Sequence, residues 1–153
     1  MKKIVWIVVA NRGVARLFQA GQPTGALQEM DAFIHPEARL HDQDLVSDRP
    51  GRGFERVGPG SHAEEPDSTV AEVETGNFAL ELSRFLLKGR HDGRFDSLVL
   101  IAAPTFLGAL RGHLDGQTKE RILLEIDKNL VHLDAVAVRS YLPERLYSAV
   151  GAG

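Results

Sequence analysis

Lys3-Ile4-Val5-Trp6-Ile7-Val8-Val9-Ala10 is the stretch whose reading decides the fold. It is β-branched and almost wholly apolar, the pattern of a central strand covered on both faces. Asn11-Arg12-Gly13 follows, a turn sequence in which Asn and Gly accept positive φ. Val14 to Ala20 then reads as the returning strand of a hairpin. Gly21 to Gly25, with Pro23, makes a second turn. From Leu27 to Ile34, the residues Met30, Ala32 and Ile34 alternate with Glu29, Asp31 and Phe33. That predicts a half-buried third strand with Phe33 out of pattern. Three strands joined this tightly pair antiparallel.

Further along, positions 35–68 keep no periodic apolar pattern for even two turns, so they read as a long loop. Thr69 with Glu72 fits a capping box and opens a helix whose apolar stripe is Val70, Val73, Phe78, Leu82, Phe85 and Leu86. Gly89 is the expected stop. Leu98 to Ala102 is a short apolar strand. Pro104 to Leu114 and Thr118 to Ile126 read as helices broken at Asp115-Gly116. Gly108 is expected to let the first of them lie close to the sheet. Asn129 to Leu133 reads as a last strand, and Asp134 to Tyr147 as a last helix bent near Pro143.

The predicted order is β-β-β-loop-α-β-α-α-β-α. It describes an α/β fold: a single mixed β-sheet with helices on its faces, the later strands joining parallel through helical crossovers. Ribonuclease-H-like architectures share this order. Their chemistry does not come with it, because a two-metal nuclease needs clustered carboxylates and the first strand carries none. Residues 1–153 are taken as one domain.

Composition narrows the function classes. The 153 residues include 18 basic and 21 acidic side chains, a formal charge of −3. Bulk positive charge for holding nucleic acid is excluded, although a local basic patch is not. There is no cysteine, hence no disulfide framework, thiolate nucleophile or zinc–sulfur site. No apolar run approaches the ~18 residues of a membrane span. The expectation is a cytoplasmic protein that does not enter a membrane, with no cofactor, no metal and no DNA partner.

Three motifs invite chemistry. Gly58-Pro59-Gly60-Ser61-His62-Ala63 spells the loose phosphate-cradling pattern, but the predicted helix starts later and Glu64, Glu65 and Asp67 intervene. Ser47, Asp48 and His62 have the residue types of a hydrolase triad without a nucleophile elbow. The strongest candidate is Arg49 to His62, which holds four Gly, two Pro, three Arg and a single acid. Arg49, Arg52 and Arg56 are forks suited to phosphate, and Gly51, Gly58 and Gly60 let backbone N–H groups approach it. The bland alternative is a solvated loop whose arginines pair with Asp42, Asp44 and Asp48.

Several stretches carry a resemblance. They are Trp6 to Phe18, Leu45-Val46-Ser47-Asp48-Arg49-Pro50-Gly51-Arg52, His62-Ala63-Glu64, Ala103 to Arg111, and Glu125-Ile126-Asp127-Lys128-Asn129-Leu130. In this order the chain resembles the bacterial host attachment protein family, which is similar in turn to the middle domain of archaeal and eukaryotic peptide-chain release factors. The resemblance implies a translation-associated factor that binds RNA or the ribosome, with ribosome or tRNA as partner. It also implies that the reaction, if there is one, is esterase-type hydrolysis of peptidyl-tRNA. The release-factor loop carries Gly-Gly-Gln, which this sequence lacks. Gly60-Ser61-His62 fills the comparable place, with His62 as the base that orients water and Gly60 shaping the loop. Arg12, Arg16, Arg111 and Lys128, at strand or helix ends, are expected to flank one rim of the sheet. Of these, Arg12, Arg16 and Lys128 join the three loop arginines as phosphate contacts. The alternative is a non-enzymatic interaction or regulatory protein that supports attachment to host cells.

Overall fold

The computed structural model describes residues 3–34 and 61–147, with the side chains of all but 34 and 61–69. The elements are β1 (Val5–Ala10), β2 (Val14–Ala20), β3 (Gln28–Ile34), α1 (Ser61–His91), β4 (Ser97–Ala102), α2 (Pro104–His113), α3 (Gly116–Glu120), β5 (Ile122–Ile126) and α4 (Ala135–Ser140). The five strands form one sheet in the order β3-β2-β1-β4-β5. β1 is antiparallel to β2 and parallel to β4, and β5 is parallel to β4. The chain has an α/β fold with a single mixed sheet, in the element order that the sequence predicts.

β1 and β4 are buried along their whole length because both faces of the sheet are covered. Trp6, Val8, Leu98 and Leu100 face α1 and α2, packing with Phe78, Leu82, Leu86, Phe106 and Leu110. Val5, Ile7, Val9, Val99 and Ile101 face the C-terminal segment through Leu130, Val138 and Leu142. Each fully buried side chain of this size contributes roughly 1.5–3 kcal/mol. That is why a strand apolar on both faces requires a layer on each.

The third strand departs from simple alternation. Leu17 faces Asp31 but Phe18 faces Glu29, so Met30 is an extra residue in a bulge. The bulge puts Met30 and Phe33 on the same face, against the α1 core. Phe33 meets the Phe85 ring edge-on at 4.7 Å. Ala32, expected inside, is exposed.

α1 begins at Ser61, not at Thr69. Its first turns carry Glu64, Glu65 and Asp67, which suit the positive end of a helix but have no apolar period to reveal them. Val70 and Val73, counted in the predicted stripe, are exposed. The helix is buried from Thr75 on, through Phe78, Ala79, Leu82 and Leu86.

The glycines have different tasks from those predicted. A Cβ on Gly89 would lie 2.7 Å from the Trp6 ring, so Gly89 is where α1 touches the sheet. The helix stops at Gly93 instead, with φ +70°. Gly93 N–H donates to Arg90 O and Arg94 N–H to Gly89 O, the paired bonds of a Schellman cap. Gly108 is exposed, with open space where its Cβ would be. Gly13 has no positive φ; the turn is shaped by Asn11, whose Oδ1 accepts from the N–H groups of Gly13 and Val14 at 2.8 and 2.9 Å.

The last third is shorter in its elements than predicted. Ile122–Ile126 is a strand, not the end of a helix; an apolar run this short fits either, and pairing with β4 decides it. Positions 129–133 are turns, not a strand, closed by Leu133 N–H to Leu130 O. α4 spans only Ala135–Ser140, capped by Asp134 accepting from Ala137 N–H at 2.9 Å. Beyond it, Arg139 donates to Gly25 O and Pro143 O, tying the second hairpin turn to the C-terminal segment. At the other end of that segment Tyr147 OH donates to Lys3 O at 3.0 Å. Burial raises the pKa of this phenol.

Candidate functional site

The carboxyl ends of β1 and β4 lie side by side, with Ala10 opposite Ala102. In open α/β sheets ligands bind at this edge, where the strands release their chain into loops and helix starts. A cleft of about 490 Å³ opens here. Its walls are the Asn11–Val14 turn, Ala103, Thr105 and Phe106 at the start of α2, Thr75 of α1 and Asn129. Asn11 Nδ2 reaches Asn129 Oδ1 at 3.4 Å, joining the two loops across the floor.

The start of α2 is bare. Ala103 caps it without a side-chain hydrogen bond, and no acid stands in the first turn. Ala103 N–H donates to Ala10 O, and Leu107 N–H to Ala103 O. Pro104 has no N–H to place. Thr105 and Phe106 therefore present backbone N–H groups with no acceptor among the described residues. Thr75 is 8% exposed.

Of the predicted phosphate contacts, Arg12 lines the cleft. Lys128 is exposed just before Asn129, on the same edge. Arg16 does not join them. It lies on the opposite face of the sheet, its guanidinium over the Phe18 ring. There Nε and Nη2 hold the two Glu29 oxygens at 2.8 Å, while Nη1 donates to Val131 O and Leu133 O. The Glu29 hydrogen bond raises the Arg16 pKa against the opposing effect of burial, and the same bond lowers that of Glu29. With every nitrogen engaged, Arg16 is a clasp between β3 and the 131–133 turn. Arg111 is likewise paired, with Glu125 at 3.1 Å.

Arg49, Gly51, Arg52, Arg56 and Gly60 lie outside the described residues, as do Ser47 and Asp48. His62 falls in the first turn of α1, which begins at Ser61, inside the Gly58–Ala63 motif and not after a gap. Because Gly89 meets Trp6 near the start of β1 and Thr75 meets the cleft at its end, α1 runs antiparallel to β1. Its N-terminus is directed towards the carboxyl edge.

Sequence reading missed Thr75, Thr105 and Asn129. Thr75 had a signal. It stands three and four residues before the buried Phe78 and Ala79, on the inner stripe, where a polar residue is unexpected. A helix start with no cap and no first-turn acid was also legible at Ala103-Pro104-Thr105, but what it faces was not.

A distant structural likeness is to an archaeal translation termination factor, at 14% identity and a TM-score of 0.48, covering 92% of this chain and 35% of that one. No curated protein matches. Among the described residues no helix is long and apolar enough to cross a membrane. Residues 6–142 match the model of the family described as protein required for attachment to host cells, and the chain belongs to that family.

Proposed function

We propose that this protein is a cytoplasmic, translation-associated factor that contacts RNA or the ribosome through the Arg49–His62 segment. The observation that carries the reading is the concentration of Arg49, Arg52 and Arg56, with four glycines and one acid, in a chain of net charge −3. Arginine forks among glycines fit phosphate oxygens, and a local basic segment on an acidic body binds RNA by counterion release. The direction of α1 supports it further. Arg12 and Lys128 stand at the carboxyl edge, towards which the helix points its start. His62 is the residue proposed to orient water at the ester of peptidyl-tRNA, with Gly60 shaping the approach.

Changing Arg49, Arg52 and Arg56 together to alanine is expected to flatten the log–log salt dependence of RNA binding by about 0.7–0.9 per lost phosphate contact. An unchanged slope refutes the assignment. Release of labelled peptide from stalled ribosomes, lost in His62→Ala, assigns the hydrolysis. Ribosome association without release leaves a binding protein that does no chemistry. If the protein neither follows ribosomes on fractionation nor binds RNA, the reading falls, and a non-enzymatic partner of the attachment process takes its place.

A further inference from the structure

We propose that the outer edge of β5 is a self-pairing surface, on which a second copy of this chain lays its own β5 antiparallel and joins two sheets into one. β5 ends the sheet. It pairs with β4 on one side and with no strand on the other among the described residues. A strand in that position leaves alternate backbone N–H and C=O groups without a sheet partner, a template for another strand.

The two edges of this sheet are built differently. β3, at the far edge, is protected. It carries Glu29 and Asp31, both exposed, and the bulge at Met30. Antiparallel pairing of β3 with itself about Asp31 sets two carboxylates face to face, and like charges oppose it. β5 reads Ile122-Leu123-Leu124-Glu125-Ile126, four branched apolar residues and one charge, with no Lys or Pro to guard it. Ile122, Leu124 and Ile126 are only partly buried. Leu123 is the residue left over where the register against β4 shifts, and it is 43% exposed. Such an irregularity re-aims a side chain.

The charges select the partner. Two β5 strands paired antiparallel about Leu123 set this side chain against its own copy on the two-fold axis, and Ile122 against Leu124. The same register sets Arg121 opposite Glu125 of the partner subunit, once on each side of the axis. Residues directly opposite across a ladder share a face, so each pair is within reach. Arg121 is exposed. Glu125 already accepts from Arg111 Nε at 3.1 Å and has acceptor sites left for a second cation. A patch that complements itself through a two-fold axis is what an isologous dimer requires. The ladder is short, so a concentration-dependent dimer with a Kd of roughly micromolar order is expected.

The test is analytical ultracentrifugation of the full-length chain from micromolar to millimolar concentration. The mass is expected to rise towards that of a dimer. Leu123→Lys sets two ammonium groups on the axis. It is expected to weaken the dimer by more than about tenfold and, at an exposed position, to leave the melting temperature little changed. Arg121→Glu alone and Glu125→Arg alone each set like charges opposite, and each is expected to weaken the dimer. Mixed in equal amounts, the two variants are expected to recover it, since each chain then meets the opposite charge on the other. This mixture decides the question even if Leu123→Lys fails to fold.

A chain that stays monomeric at millimolar concentration overturns the proposal. A dimer that survives a folded Leu123→Lys places the interface elsewhere and overturns the edge. Single charge variants that associate as the wild type does, or a mixture that recovers nothing, overturn the register.

Discussion

α1 meets the sheet in different ways at Gly89 and at Thr75. At the amino end of β1 the helix is closed onto the sheet: Gly89 lets the backbone rest against Trp6, whose ring stacks with Phe85 at 5.5 Å and contacts Phe95 at 4.8 Å. At the carboxyl end Thr75, midway along the same helix, lines a cleft. The difference lies in side-chain volume and charge. The closed end has the Trp6, Phe85 and Phe95 rings between the layers, and the open end has threonines, asparagines and a bare helix start, with Phe106 the aromatic ring in its lining. Packing is concentrated at the closed end, and the turns at the open end leave space between the layers.

The sharpest way to break this comparison is Trp6→Ala. Trp6 is fully buried and its Nε1 donates to Gln19 at 3.2 Å, so its loss is expected to cost about 3–5 kcal/mol by denaturant unfolding. That is a large part of the whole stability of a domain this size. Gly89→Ala comes next, at about 1–3 kcal/mol, since the added methyl meets the Trp6 ring with no room to move. A neutral Gly89→Ala would mean that the closed end is not tightly packed. At the open end, Thr75→Val is expected to change stability by no more than about 0.5 kcal/mol, because it keeps the shape of a side chain that lines a cleft.

Between these extremes stands the Arg16 clasp, which holds the carboxyl edge from the other face. Arg16→Ala is expected to cost about 1–2 kcal/mol, read in the same unfolding experiment. Glu29 supplies a pH signature. Its pKa is lowered in the folded chain by the Arg16 hydrogen bond, so its contribution is full above its ordinary value of 4.5 and disappears as pH falls through the folded value. Melting temperatures of the wild type and Glu29→Gln are expected to converge as pH drops below that value and to separate above it. Glu29 is 41% exposed to water and Arg16 17%, and the screening on the Glu29 side keeps this effect the smallest but one. Equal separation at all pH values would refute the clasp.

The two sets of arginines show why the site was only half legible. Arg12 and Arg16 are four residues apart and look alike in sequence, yet one lines a cleft and the other is consumed by Glu29 and two carbonyls. Nothing local distinguishes them. The partners of Arg16 come from positions 29, 131 and 133, and only folding brings those together. The glycines make the same point. Gly89 and Gly108 each sit in a helix, but the one near Trp6 is the one that must lack a side chain.

The sequence alone determined the α/β class, the order of elements and a first strand covered on both faces. Those properties follow from hydrophobic period and turn chemistry, which act between near neighbours. Tertiary structure decided the rest. It placed the Met30 bulge, made Ile122–Ile126 a strand, started α1 at Ser61 and set the Gly89 contact. It also brought Thr75, Thr105 and Asn129 to one cleft. Each of these depends on residues distant in sequence meeting across a sheet or a helix, where packing and pairing override local preference.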